Sequence, residues 1–189
     1  AGAVDGAANN TALGYNTLAA VTSGDNNVAI GSNALSKNTT VSNNVAIGYN
    51  SMLDIVEGDK NVAIGSFSMA MNQTGNNAKN SKENVFIGYN SGGGNWTAVE
   101  SNYNTSVGAW SMDASLDGAL NNTSLGYQAL TALTSGDNNT AVGSGAGDVI
   151  TDGVNNVIIG KGSDPSANNA TNQTVVGYAV TGIADNSVV

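Results

Sequence analysis

Short apolar triplets framed by asparagine and glycine recur along this chain at nearly even intervals. Written as Asn-[Val/Thr]-x-[Ile/Leu/Val]-Gly, the unit runs Asn10 to Gly14, Asn27 to Gly31, Asn44 to Gly48 and Asn61 to Gly65. It continues at Asn84 to Gly88, Asn104 to Gly108, Asn122 to Gly126, Asn139 to Gly143 and Asn156 to Gly160. A tenth copy, Gln173 to Gly177, has glutamine in place of the asparagine. The ten glycines Gly14, Gly31, Gly48, Gly65, Gly88, Gly108, Gly126, Gly143, Gly160 and Gly177 stand 17, 17, 17, 23, 20, 18, 17, 17 and 17 residues apart. Such a period marks stacked units, each too small to bury its own apolar side.

The triplets are short, β-branched and bounded by turn formers, which predicts a strand. A second segment follows, as in Tyr15-Asn16-Thr17-Leu18, Ser32-Asn33-Ala34-Leu35 and Tyr49-Asn50-Ser51-Met52. It predicts a second short strand, closed by turns such as Thr22-Ser23-Gly24-Asp25-Asn26. Helices do not fit between glycines and asparagines this frequent. The expected fold is therefore all-β: a parallel β-solenoid, or β-roll, of about ten coils with two short strands each. Strand spacing of about 4.8 Å makes it a rod of about 48 Å. The whole of 1–189 reads as a single array, with regular coils over 1–65 and 105–189 and longer, irregular coils over 66–104.

Alternation along the strand divides the triplet between two faces. Val28 and Ile30 are expected to point into the solenoid and Ala29 outward. The outward set would be Ala12, Ala29, Ala46, Ala63, Phe86, Ser106, Ser124, Ala141, Ile158 and Val175, mostly apolar and small. A strand apolar on both faces is buried on both, so the outer side should pack on another chain. The thin core of a single coil points the same way.

Composition narrows the chemistry. Charged residues make up 10% of the chain, with 5 Lys+Arg, 14 Asp+Glu, a net charge of −9, no His and no Cys. All five cations are lysines. The regular Val/Ile runs argue against disorder, and the absence of a basic stripe argues against nucleic acid. Without Cys there are no disulfides or thiolate metal sites, and without His or Cys no Ser–His or Cys–His dyad. No apolar run approaches a membrane span, so membrane insertion is not expected. A pair of carboxylates would suffice for glycosidase chemistry. However, Asp25, Asp59 and Asp137 precede their strands by one shared offset, as turn formers do. Stacked Gly-Asp-Asn turns could hold structural Ca²⁺, but Ser42 and Asn43 replace the acid in the third turn, so no cofactor and no metal are expected. Gly92-Gly93-Gly94 and the Gly-Ser-Gly-Ala-Gly of 143–147 precede no helix and carry no P-loop lysine.

The strings NNVAIGSNAL, NNTALGYNTL and NNTSLGYQAL resemble the repetitive shafts of phage tail fibres, where such coils precede a self-cleaving chaperone domain. They also resemble the head repeats of trimeric autotransporter adhesins, although the period here is longer. Both resemblances imply left-handed parallel β-rolls, a homotrimer and a place on a virion or cell surface, with a host-surface glycan or protein as receptor. Asn186-Ser187-Val188-Val189 reads as the opening of an eleventh strand and thus as part of a longer parent. The expected role is a non-enzymatic fibre or adhesive segment. The alternatives are a bacterial adhesin or extracellular filament subunit, or a fibre that degrades polysaccharide.

The extra residues of the long repeats fall near Gln73–Lys82 and Gly92–Tyr103, and insertions in solenoids gather on the binding face. Tyr89, Trp96, Tyr103 and Trp110 lie in or beside this stretch, and exposed aromatics suit glycan contact. Trp110 is expected to cap a gap in the core; Trp96, in a glycine-rich loop, fits either surface or core.

Overall fold

The structure is a computed structural model and describes residues 6–37, 39–55, 57–70, 80–96 and 99–189. The expected insertion at Gln73–Lys82 falls largely on 71–79, outside the described residues. Ten three-residue strands form one parallel sheet in chain order. They are β1 (Thr11–Leu13), β2 (Val28–Ile30), β3 (Val45–Ile47), β4 (Val62–Ile64), β5 (Val85–Ile87), β6 (Thr105–Val107), β7 (Thr123–Leu125), β8 (Thr140–Val142), β9 (Val157–Ile159) and β10 (Thr174–Val176). Equivalent residues pair across every step, Val45 with Val62 and Ala46 with Ala63 for example. The sequence repeat is therefore the stacking register, and the β-solenoid expectation holds. After β10, Val188 bridges in parallel to Thr174, and the Val176 N–H donates to the Val189 carbonyl at 2.8 Å.

Two expectations are corrected. Among the described residues each coil has one strand, not two. The segment after the glycine is a turn in which the second and fourth residues adopt left-handed backbone: Asn33 and Leu35 at φ 58° and 50°, Asn50 and Met52 at 55° and 51°. Asparagine tolerates this conformation; for leucine or methionine it costs about 1–2 kcal/mol. Full burial of such a side chain returns about 1.5–3 kcal/mol, and Leu35, Met52, Met69, Met112 and Leu130 are all completely buried. These turns still hydrogen-bond from coil to coil, as in Leu35 N–H to the Ser51 carbonyl at 3.1 Å and Asn50 N–H to the Ser32 carbonyl at 3.0 Å. The stacking is continuous without a second sheet.

The faces of the strand are also the reverse of the expectation. Ala29, Ala46, Ala63, Phe86, Ser106, Ser124, Ala141, Ile158 and Val175 point inward and are buried. Val28, Ile30 and their equivalents lie on the outer face and are only half-buried in most coils. The reason is volume. The left-handed Leu or Met of the same coil fills the thin interior, which leaves the strand room for little more than a methyl group. In β2, β3 and β4 both faces are apolar, but the larger side chains are the ones turned outward.

Two polar devices hold the coils in register. From β2 to β9 the asparagine opening the strand is buried and forms a ladder. Asn139 Nδ2 donates to Asn122 Oδ1 at 3.1 Å and to the Gly153 carbonyl at 2.7 Å, while Asn139 Oδ1 accepts the backbone N–H of Asn156 at 3.1 Å. Buried amides are tolerated where their hydrogen bonds are made. The strand-closing glycines adopt φ between 126° and 157°. In the first nine, an added Cβ would stand 1.5–2.7 Å from carbonyl atoms of the next coil's glycine. Only glycine fits that stack.

Candidate functional site

The residue just after each closing glycine, and the one after that, leave the strand at the same corner of the coil. Four aromatics meet there. Tyr49 and Phe67 stand 5.3 Å apart between ring centroids at 84°, Phe67 and Tyr89 6.1 Å apart at 78°, and Tyr89 and Trp110 5.1 Å apart at 65°. Edge-to-face packing is a favoured aromatic arrangement. It leaves Tyr49 48%, Tyr89 46% and Trp110 37% exposed. The four rings form a ladder that climbs the rod across four coils.

Beside its upper part lies a shallow depression of about 370 Å³, lined by Phe67, Tyr89 and Trp110, the amides of Asn90 and Asn95, and Gly93 and Gly94. The glycines make the floor low. A Cβ on Gly93 would stand 2.3 Å from Asn90 Oδ1, and one on Gly94 would stand 2.1 Å from the Ala114 carbonyl oxygen. The second residue after Gly88 is Asn90, held at φ 53° with its N–H on the Ser66 carbonyl at 3.0 Å. Nothing lining the depression is charged.

Of the four predicted aromatics, the structure brings together Tyr89 and Trp110. Trp96 is core: it is buried and packs edge-on against Phe86 at 5.4 Å. Trp110 does not cap a core gap; it stands at the surface. Tyr103 is exposed, but it sits at the corner that enters β6, with its N–H on the Lys82 carbonyl. Phe67, Tyr49, Asn90 and Asn95 were not anticipated. The signal for them was positional, since Phe67 follows Gly65 by the same offset as Trp110 follows Gly108.

A larger depression of about 470 Å³ lies elsewhere, lined by Thr40, Val41, Glu57, Gly58, Asp59, Asn80, Lys82 and Glu100. Asp59 there is committed to structure, accepting the Ser42 N–H at 2.7 Å, and Lys60 pairs with Glu83 at 3.2 Å. Asp25 and Asp137 likewise accept the N–H groups of Ala8 and Leu120 from the preceding coil, at 2.6 and 2.8 Å. Among the described residues, no three acids converge as a metal site would need. Asp164 stands apart: burial pushes its carboxyl above the ordinary range, helped by repulsion from Asp148, while the backbone N–H groups of Val149 and Asp148 oppose the shift.

Compared with protein-family models, curated proteins and solved structures, the chain matches none.

Proposed function

We propose that this chain is a structural segment of a surface fibre, non-enzymatic, which assembles with copies of itself through the outer face of its sheet. The observation that carries the reading is the outward Val/Ile ladder. Val28, Ile30, Val45, Ile47, Val62 and Ile64 form two adjoining columns on one face of the rod. The second column continues through Ile87 and Val107 to exposed Leu125, Ile159 and Val176, while threonine takes the first in β6, β7, β8 and β10. Contiguous apolar surface of this extent marks an interaction site. A second copy suits it best, because every coil presents an aliphatic residue in the second column and a like rod matches that repeat along its length. The resemblance to tail-fibre shafts and adhesin heads supplies the count of three chains, the left-handed coil and the place on a virion or cell surface. A stiff rod of stacked coils serves there as a spacer that carries contacts with the surface it meets. Sedimentation of the double variant I47E/I64E tests the reading. Charges on this face should release single chains while the coil stays folded, and a variant that assembles as the parent does would refute it.

A further inference from the structure

We infer that the depression beside Phe67, Tyr89 and Trp110 binds an extended neutral oligosaccharide whose pyranose rings carry equatorial hydroxyls. Three features select this ligand class. Exposed aromatic rings offer apolar faces to the axial C–H groups of such sugars. The amides of Asn90 and Asn95 supply both donors and acceptors at the edge of those rings, which suits hydroxyl groups. Finally, the lining carries no charge, so a uronic or sialic acid would find no cation to replace its water shell.

The shape argues for a chain of sugars rather than a single one. The depression is open and shallow, with a glycine floor, and its volume of about 370 Å³ sits at the lower end of ligand sites. The rings continue down the rod from it through Phe67 to Tyr49, with centroids 5.1–6.1 Å apart. A glycan lying along the rod axis would therefore meet an aromatic edge or face at each coil. Elsewhere the position after the glycine alternates with Ser32, Ser144 and Lys161, and the aromatic run is broken.

This inference deepens the attachment role of the proposed fibre and places its contact surface. The test uses the whole chain and titrates it with cellohexaose, with chitohexaose, and with an oligogalacturonate as the acidic comparison. Binding is followed by calorimetry and by tryptophan fluorescence. Trp96 is buried and Trp110 exposed, so the ligand should change the emission of Trp110 and protect it from iodide. Saturable binding of either neutral hexamer, weakened about tenfold or more by Trp110→Ala, is the expected result. Asn90→Gly, the residue that Gly145 and Gly162 supply at this left-handed position in other coils, should weaken it as well, without changing the melting temperature as a core substitution would. Binding of the acidic oligomer alone would overturn the ligand class. No binding of any probe, or binding that Trp110→Ala leaves intact, would overturn the site. If Trp110 is shielded from iodide before any sugar is added, another copy covers the shelf and the inference also fails. The particle mass measured on the same sample separates these failures from failure of the assembly reading.

Discussion

A methyl group on Gly92 would stand 2.5 Å from Cδ1 of Phe86. In the two preceding coils the same pair of positions holds Ala46 with Met52 and Ala63 with Met69, all fully buried. The coil thus keeps its interior volume by exchanging a large residue across the core: phenylalanine on the strand, glycine on the turn, with Trp96 closing the remaining space.

That exchange predicts a coupling. Phe86→Ala alone should cost about 3–5 kcal/mol, as large-to-small core changes do. Gly92→Met alone should also destabilise, through overpacking of about 1–3 kcal/mol. The double variant restores the pattern of the neighbouring coils, and denaturant melts should show it recovering about 0.5–3 kcal/mol relative to the sum of the singles.

The closing glycines make a sharper contrast. Gly65 adopts φ 134°, and a Cβ there would lie 2.3 Å from the Gly88 carbonyl oxygen. Gly65→Ala should therefore destabilise more than an ordinary core change. Gly162, at φ 60° with nothing within 4 Å, stands where other coils carry Asn33 and Asn50. Gly162→Asn should leave the melting temperature nearly unchanged.

Removing one rung of the amide ladder should be costly despite the absence of charge. In Asn139→Leu the Gly153 carbonyl loses its side-chain donor, Asn122 Oδ1 keeps only the backbone N–H of residue 139, and the buried N–H of Asn156 loses its acceptor. Each orphaned buried group costs about 1–3 kcal/mol. Thermal melts should place this variant well below one at an exposed asparagine such as Asn9.

The rise of the Asp164 carboxyl above its ordinary range predicts a direction with pH. The folded chain holds that proton more tightly than the unfolded chain does, so this group favours folding at low pH. The benefit is lost as pH climbs through its folded-state value. Asp164→Asn should accordingly raise the melting temperature at pH 7 relative to the parent and narrow the gap near pH 4. A gap that widens on acidification would contradict this.

The period, the register and the all-β fold were legible in the sequence because one side-chain pattern repeats in every coil. Which face of the strand lies inside was not. Alternation assigns Ala29 and Ile30 to opposite faces, but only the volume of Leu35 across the coil decides that the alanine is the inner one. The left-handed turn left a faint trace, since Gly145 and Gly162 stand at the position of Asn33, and Gly92 and Gly147 at that of Leu35. Read in a single coil, Tyr49-Asn50-Ser51-Met52 looks like a strand; compared across coils, the glycines betray the turn. The aromatic ladder was half visible. Tyr89 and Trp110 stood out by residue type, whereas Phe67 gains its meaning from stacking, and Trp96 was drawn inward by the core volume that Phe86 and Gly92 redistribute.

The central claim is that copies of the chain cover the outward Val/Ile columns, and the mass of the particle tests it most directly. Light scattering on the purified chain at micromolar concentration should report a single species at three times the 18.8 kDa of one chain. A single species of 18.8 kDa would mean that Ile30, Ile47 and Ile64 face water in solution, and would contradict the account.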